Sequence, residues 1–282
     1  MPAILSRENM HRNIEEVEFT IFDTETTGLD PQSGDRIIEI AGIRVKGNST
    51  KAVFQSLVNP QRAVSDGAFE VNRITPDMLV NAPKIEEIMP KFLDFIHSSC
   101  LCSYNAPFDL GFLNSELKII GRDFPKDIVV VDILAMARRL MPELGRHALS
   151  YVAESLGVKK EQEHRALADV EITLEVFNSL KEVLKKKGII DFKNFVELFS
   201  LNFNLLEDIK NQKTAEIQEA IDLGLKLKIK YLSRNNPEVS EREVIPKEIK
   251  QENKHSYLIG FCCLRNEERT FRIDSILNLE VI

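Results

Sequence analysis

The chain has 282 residues, 43% of them hydrophobic and 29% charged, with a formal net charge of −7. That composition is ordinary for a soluble globular protein and supplies enough apolar material for one large core or two modest ones. No apolar run approaches the roughly 20 residues of a membrane-spanning helix, and the acidic excess argues against nonspecific coating of duplex nucleic acid. The charge is uneven: residues 221–282 carry eleven Lys+Arg against ten Asp+Glu, so the acidity lies in residues 1–220. The first dozen residues are polar from Ser6 on and lack the apolar core of a signal peptide. Cys100, Cys102, Cys262 and Cys263 have neither zinc-ligand nor disulfide-framework spacing, and they read as small buried residues of a reducing, cytoplasmic compartment.

Residues 1–16 read as a polar lead-in. The apolar run Phe19–Phe22 predicts a strand that ends on Asp23 and Glu25. The side-chain period of a strand is two, so both carboxylates point to one side, roughly 7 Å apart. Two acids at the end of a buried strand repel each other and lose hydration, and a divalent cation is the common remedy. The plainer reading is two solvated acids ahead of a Thr26-Thr27-Gly28 turn. Arg36–Val45 and Ala52–Val58 predict two more strands, antiparallel neighbours of the first. Pro76 opens a helical stretch, continued by Ile85, Ile88, Met89, Phe92, Leu93 and Ile96 at helical spacing.

Cys100–Tyr104 is expected as a short buried strand and Asn105–Leu113 as the helix behind it. Ile128–Asp132 is a further strand, followed by helices at Ile133–Leu140, His147–Leu156 and His164–Lys187, the last two stopped by Gly157 and Gly188. His147 reads as helix-start chemistry, and His11, His97 and His255 carry no assigned role. Strands first, then strand and helix alternating, predict an α/β layer fold with helices over a mixed sheet. Beyond Ile189, Phe192, Phe195, Val196, Phe199, Phe203 and Leu206 form an aromatic-rich helical stripe, read as packing between domains, and Lys213–Ile221 reads as another helix. Leu225–Leu232 alternates strictly, predicting a half-exposed strand with a lysine face. Glu243–Ile245, Tyr257–Leu264 and Thr270–Ile273 predict a small β unit, with turns at Asn235-Asn236-Pro237 and Asn253-Lys254.

The acids then form a constellation. Asp109 lies four residues after Asn105, a spacing that puts both on one helix face. Asp169 lies five residues after His164. Each acid sits near a strand end or helix start, where sites form on α/β sheets.

These stretches, Asp23-Thr-Glu-Thr-Thr-Gly-Leu29, Asn105-Ala-Pro-Phe-Asp109 and His164-Arg-Ala-Leu-Ala-Asp169, resemble the three exonuclease motifs of the DEDDh superfamily. Its members include the proofreading ε subunit of bacterial DNA polymerase III, ribonuclease T and oligoribonuclease. The resemblance covers about residues 17–185. A sister branch carries tyrosine four residues before the last acid, where this chain has Arg165. The resemblance implies a ribonuclease-H-like fold in which Asp23, Glu25, Asp109 and Asp169 hold two Mg²⁺ or Mn²⁺ ions, oxygen ligands being what hard cations prefer. It implies that His164 takes the proton of the attacking water, a role an imidazole suits near neutral pH. It also places the backbone of Thr26 against the terminal nucleotide's 3′ hydroxyl, with Asn105 beside the substrate; Phe108 or Leu29 could stack on the last bases, with core packing the favoured role for either.

More weakly, residues 221–282 resemble the WYL domain, a small SH3-like β-barrel, through Ala220-Ile221, Ile229-Lys-Tyr231, Val244-Ile-Pro246, Tyr257-Leu258 and Arg269–Asp274. Ser256 stands at the naming tryptophan, and the chain has no Trp. Such domains are thought to sense ligands, often nucleic-acid fragments, which makes Tyr257, Arg265, Arg269 and Arg272 candidates; the alternative is a structural barrel with paired arginines.

The expected organisation is a lead-in (1–16), an exonuclease domain (17–188), a helical linker (189–220) and a WYL-like β domain (221–282). The expected function is 3′→5′ exonucleolytic release of nucleoside 5′-monophosphates from single-stranded nucleic acid, DNA before RNA. An exoribonuclease and a non-catalytic nucleic-acid sensor are the alternatives, and the retained set of mutually repelling acids speaks against the sensor.

Overall fold

The computed structural model describes residues 10–159, 164–201, 203–233, 237–252 and 255–282, with only the backbone of 203–209. The first nine residues of the lead-in, Asn235-Asn236, Asn253-Lys254 and the side chains of Phe203 and Leu206 lie outside that description.

The first sheet contains β1 (Glu18–Thr26), β2 (Ile37–Lys46), β3 (Ser49–Leu57), β4 (Cys100–Ser103) and β5 (Val130–Asp132), in the order β3-β2-β1-β4-β5. β1, β2 and β3 pair antiparallel, as their close spacing in sequence predicts, while β4 and β5 add in parallel. Both faces of β1 are covered, so its apolar residues serve two cores. Phe19 and Ile21 belong to one and Phe22 to the other.

On one side lie α5 (Ile133–Leu140), α6 (Leu149–Ser155), α7 (Ala166–Lys186) and α8 (Phe192–Phe199). The Phe19 ring meets Phe177, Phe192 and Phe195 at 5.1, 6.2 and 5.5 Å between centroids. On the other side, α3 (Ile85–Ile96) and α4 (Ala106–Ile119) cover Phe22, with Phe92 at 5.9 Å. The aromatic stripe of α8 is therefore packing: Phe192, Phe195, Val196 and Phe199 are buried against the first sheet. A helix that the sequence reading did not assign, α1 (Asp66–Asn72), is capped by Ser65 and precedes the single turn α2 (Pro76–Leu79).

α9 (Phe203–Asp222) leads to the second sheet, made of β6 (Leu227–Leu232), β7 (Val239–Glu252), β8 (His255–Cys262), β9 (Glu267–Arg272) and β10 (Ile276–Val281). All pairings are antiparallel and the order is β10-β6-β7-β8-β9. Its core joins Ile217 and Ala220 of α9 to Leu227, Ile229, Val244, Leu258, Phe271 and Ile276. A closed barrel was the expectation; among the described residues no pairing joins β9 to β10, and the sheet keeps two edges. β7 is much longer than Glu243–Ile245 because a register shift between Pro246 and Glu248 lets the strand bend and continue. β10 has only a short apolar signal, Ile276-Leu277, and is specified by its pairing with β6.

Cations join the two sheets and their helices. Arg139 of α5 donates to Ser275 Oγ at 2.7 Å. Lys213 of α9 donates to Glu197 of α8 at 2.8 Å and to the Ile276 carbonyl.

Candidate active site

The end of β1 gathers acids from three elements. Asp23 and Glu25 leave the same face of the strand, as the period of two requires. Asp169 enters from the first turn of α7, which packs across β1 and β2. One oxygen from each of these three carboxylates lies within 4.8 Å of the others. Asp109 approaches from α4: its Oδ1 accepts the Thr24 amide at 3.1 Å and the Thr24 hydroxyl at 2.7 Å, while Oδ2 accepts the Ser103 hydroxyl. Thr24, flanked by the two strand acids, thus anchors the fourth carboxylate to β1.

The electrostatics follow from burial and like charge. The carboxyl of Asp23 is pushed well above its usual range by burial, then by Asp109, Glu25, Asp169 and Glu39. Glu25 is raised to about 8 by burial and by Asp169, Glu39 and Asp109, with Arg165 opposing. Burial raises Asp109 to about 6, and the Ser103 and Thr24 hydrogen bonds hold it from going higher. Among the described residues this is the single group of His, Cys and acid side chains close enough to share an ion. An all-oxygen donor set in which like charges crowd together fits a hard divalent cation.

Asn105 does not share a helix face with Asp109. It is the N-cap residue, in a left-handed conformation with φ 70° and ψ 49°, and helical spacing does not extend to a residue outside the helix. Its amide and that of Ala106 donate to Asp132 Oδ1 at 3.2 and 3.3 Å, and the same oxygen caps α5 through Leu134. Likewise α7 begins at Ala166, so His164 precedes the helix; it is exposed, with φ 50°. His147 also lies outside its expected helix, with its ring at 3.0 Å from the Met141 carbonyl.

The turn after β1 is built tightly. A Cβ on Gly28 would stand 2.2–2.7 Å from the Asp35 carboxylate, so a larger residue there would displace that carboxylate from its bonds to the Thr27 hydroxyl and the Asp30 amide. The Thr26 hydroxyl donates to the Gly28 carbonyl at 2.6 Å, and Ser65 at the head of α1 donates its amide to the Thr27 carbonyl. Leu29 at the tip is 84% exposed. Phe108 is half-buried, its ring 5.0 Å from Phe112.

Glu39 was not singled out by sequence. It lies opposite Glu25 in the β1–β2 register, is fully buried, and binds Arg165 and the Ala166 amide. The available signal was a lone acid inside the apolar strand Ile37-Ile-Glu-Ile-Ala41, a position where a charge needs a partner.

Residues 20–177, more than half of the chain, match the family model described as Exonuclease. The chain belongs to the exonuclease family. It is a nuclease, a hydrolase of phosphodiester bonds. A PolC-type DNA polymerase III of Staphylococcus haemolyticus is 30% identical over 257 residues, 91% of this exonuclease. The match spans only 18% of that relative's length. Two solved structures share the fold: the nuclease domain of 3′hExo, a DEDDh family member bound to rAMP, at a TM-score of 0.54 and 18% identity over 64% of this chain and 97% of that one; and the E. coli ExoI–ssDNA complex, at 0.54 and 15% over 94% and 64%.

The exonuclease also carries a WYL domain, matched over residues 212–281. The structure does not bring its four candidate residues onto one surface. Tyr257 and Arg272 are direct cross-strand partners. Arg272 is buried, however, its guanidinium committed to Asp274 and in contact with His255 Nδ1. Arg269 pairs with Gly260 on the alternate face of β9 and reaches Glu267 at 3.1 Å. Arg265 lies exposed in the turn before β9. No helix among the described residues is long and apolar enough to cross a membrane.

Proposed function

We propose that this exonuclease removes nucleotides from the 3′ end of single-stranded or frayed DNA and releases nucleoside 5′-monophosphates, in proofreading or repair. The observation that carries the reading is the convergence of Asp23, Glu25 and Asp169 within 4.8 Å, with Asp109 tied to Thr24 beside them. These four acids would hold two Mg²⁺ or Mn²⁺ ions, which when bound acidify the attacking water and offset charge on the phosphate and the leaving 3′ oxygen. His164, exposed just ahead of α7, takes the proton of that water. The backbone at Thr26, fixed by its hydroxyl bond to Gly28, receives the terminal 3′ hydroxyl. Asn105 stands at the head of α4 beside the substrate, and Leu29 and the half-buried Phe108 lie against the last bases. Similarity to a DNA polymerase III supports DNA over RNA.

In this reading residues 17–188 are the catalytic unit, 189–220 a helical connection and 221–282 a WYL module of SH3-like character. Its exposed Arg265 and Arg269 add contacts to the strand. The test is one assay of the purified chain with Mn²⁺ on matched 5′-labelled DNA and RNA single strands. A ladder shortening from the 3′ end on DNA is the expected result. An intact DNA strand refutes the proposal, and faster decay of the RNA moves the substrate to RNA. His164→Ala should cost a large factor in rate and spare Mn²⁺ binding; collapse of Mn²⁺ affinity would remove the base assignment.

A further inference from the structure

We infer that Glu39 and Arg165 form a positioning clamp that sets His164 and Asp169 in register with the acids of β1. The inference rests on the exonuclease reading of that cluster. Arg165 donates from Nε at 2.9 Å and from Nη2 at 2.8 Å to the two oxygens of Glu39, and the Ala166 amide adds a third bond at 3.2 Å. Gln55 on β3 completes the set at 3.0 Å. Three of these four donor atoms belong to Arg165 and Ala166, between His164 and Asp169.

The Ala166 amide is one of the donors that a helix start leaves without an intrahelical partner, and the N-cap residue Arg165 makes no side-chain cap bond to its own helix. Glu39 supplies that cap from a neighbouring strand, where a negative charge also suits the helix dipole. A bidentate fork fixes direction as well as distance, so β2 dictates where α7 starts. Asp169 sits in the first turn from that start. His164 leaves on the other side through a left-handed backbone, φ 50°, uncommon for a non-glycine residue. One clamp therefore locates both groups against β1.

A purely structural role is a weaker account of the same contacts. Packed apolar residues commonly serve as well as a buried ion pair, and they would not add a fifth negative charge beside Asp23 and Glu25. Arg165 is also partly open, its side chain 36% exposed. Removing it leaves a cleft that a small cation can enter.

The experiment uses the full chain with Mn²⁺ and a 5′-labelled single-stranded DNA. Arg165→Ala is expected to lower kcat on the order of tenfold to a hundredfold, the cost of a small misplacement. KM should stay within about twofold. Millimolar guanidinium ion should restore part of the lost kcat where equal NaCl does not. Arg165→Lys keeps the charge without the fork and should remain slow, and Glu39→Gln should reproduce the kcat loss. Wild-type kcat in both Arg165→Ala and Glu39→Gln overturns the clamp. So does a kcat loss that guanidinium leaves untouched while the melting temperature falls in proportion, because that is a fold staple. An inactive wild-type chain instead strikes the exonuclease reading itself, which keeps the two failures distinct.

Discussion

Two clusters of buried charge in this molecule are built on opposite terms. At the end of β1, Asp23, Glu25, Asp109 and Asp169 crowd together with Arg165 as an opposing cation at Glu25, and the carboxyls of Asp23, Glu25 and Asp109 are forced upward. At the junction of the two sheets, the acids meet cations. Burial works to raise Asp274, but Arg272, Ser275 and Arg139 outweigh it and hold it below the usual range. Glu197, raised by burial, is drawn back by Lys213 at 2.8 Å. At the junction each acid faces a cation, whereas most of the charged neighbours of Asp23 and Glu25 are other acids. Burial is common to both, so the sign of the neighbours separates a support from a site.

The contrast can be broken, and the largest effect is expected at the acids. Asp23→Asn or Asp169→Asn should lower nuclease turnover by about a thousandfold or more. The metal-free melting temperature should hold or rise, since a repelling charge has gone. A marked fall in that temperature would mean that the acids were holding the fold.

Next comes pH. Glu25 and Asp109 keep their protons in the native state up to about 8 and about 6, whereas in the unfolded chain they release them near 4. The native state therefore binds more protons across that window, and stability falls as pH rises through it, by on the order of a few kcal/mol. Thermal melts from pH 4.5 to 8 should show this decline without metal, and saturating Mn²⁺ should flatten it. A metal-free profile that is already flat would contradict the raised carboxyls.

At the junction, removing a cation strands an acid. Lys213→Met should cost about 3 kcal/mol in urea unfolding, because Glu197 is left buried and uncompensated. Arg272→Ala should cost about 2 kcal/mol through the loss of its bonds to Asp274. Smallest is Arg269→Ala: its exposed pair with Glu267 is expected to contribute under about 0.5 kcal/mol. A loss at Arg269 as large as that at Arg272 would erase the distinction between a buried and an exposed arginine pair.

Much of the first sheet was legible because its signals are local. β1, β2 and β3 follow one another along the chain, and the helices that stop at Gly157 and Gly188 do so with those glycines at φ 76° and 70°. The second sheet was less legible. β10 shows little pattern of its own, and β7 passes through Pro246, normally a strand breaker, by way of a bulge. Asn105 and His164 misled for one reason: helical spacing was extended to residues that the fold holds in left-handed conformations outside their helices.

The sequence by itself determined which residue types stand at the site and how β1 presents two of them, because a period of two is a property of the backbone alone. It determined also that residues 17–185 carry the three exonuclease motifs, since motif order and spacing are written along the chain. Tertiary structure decided the rest. It brought Asp169 to Asp23 and Glu25, hung Asp109 on Thr24, buried Arg272 in the junction and joined Glu39 to Arg165 across 126 positions of sequence. Hydrogen bonds and charge act over a few ångströms of space, and at such separations along the chain only the packed sheet and helices determine which groups come that close.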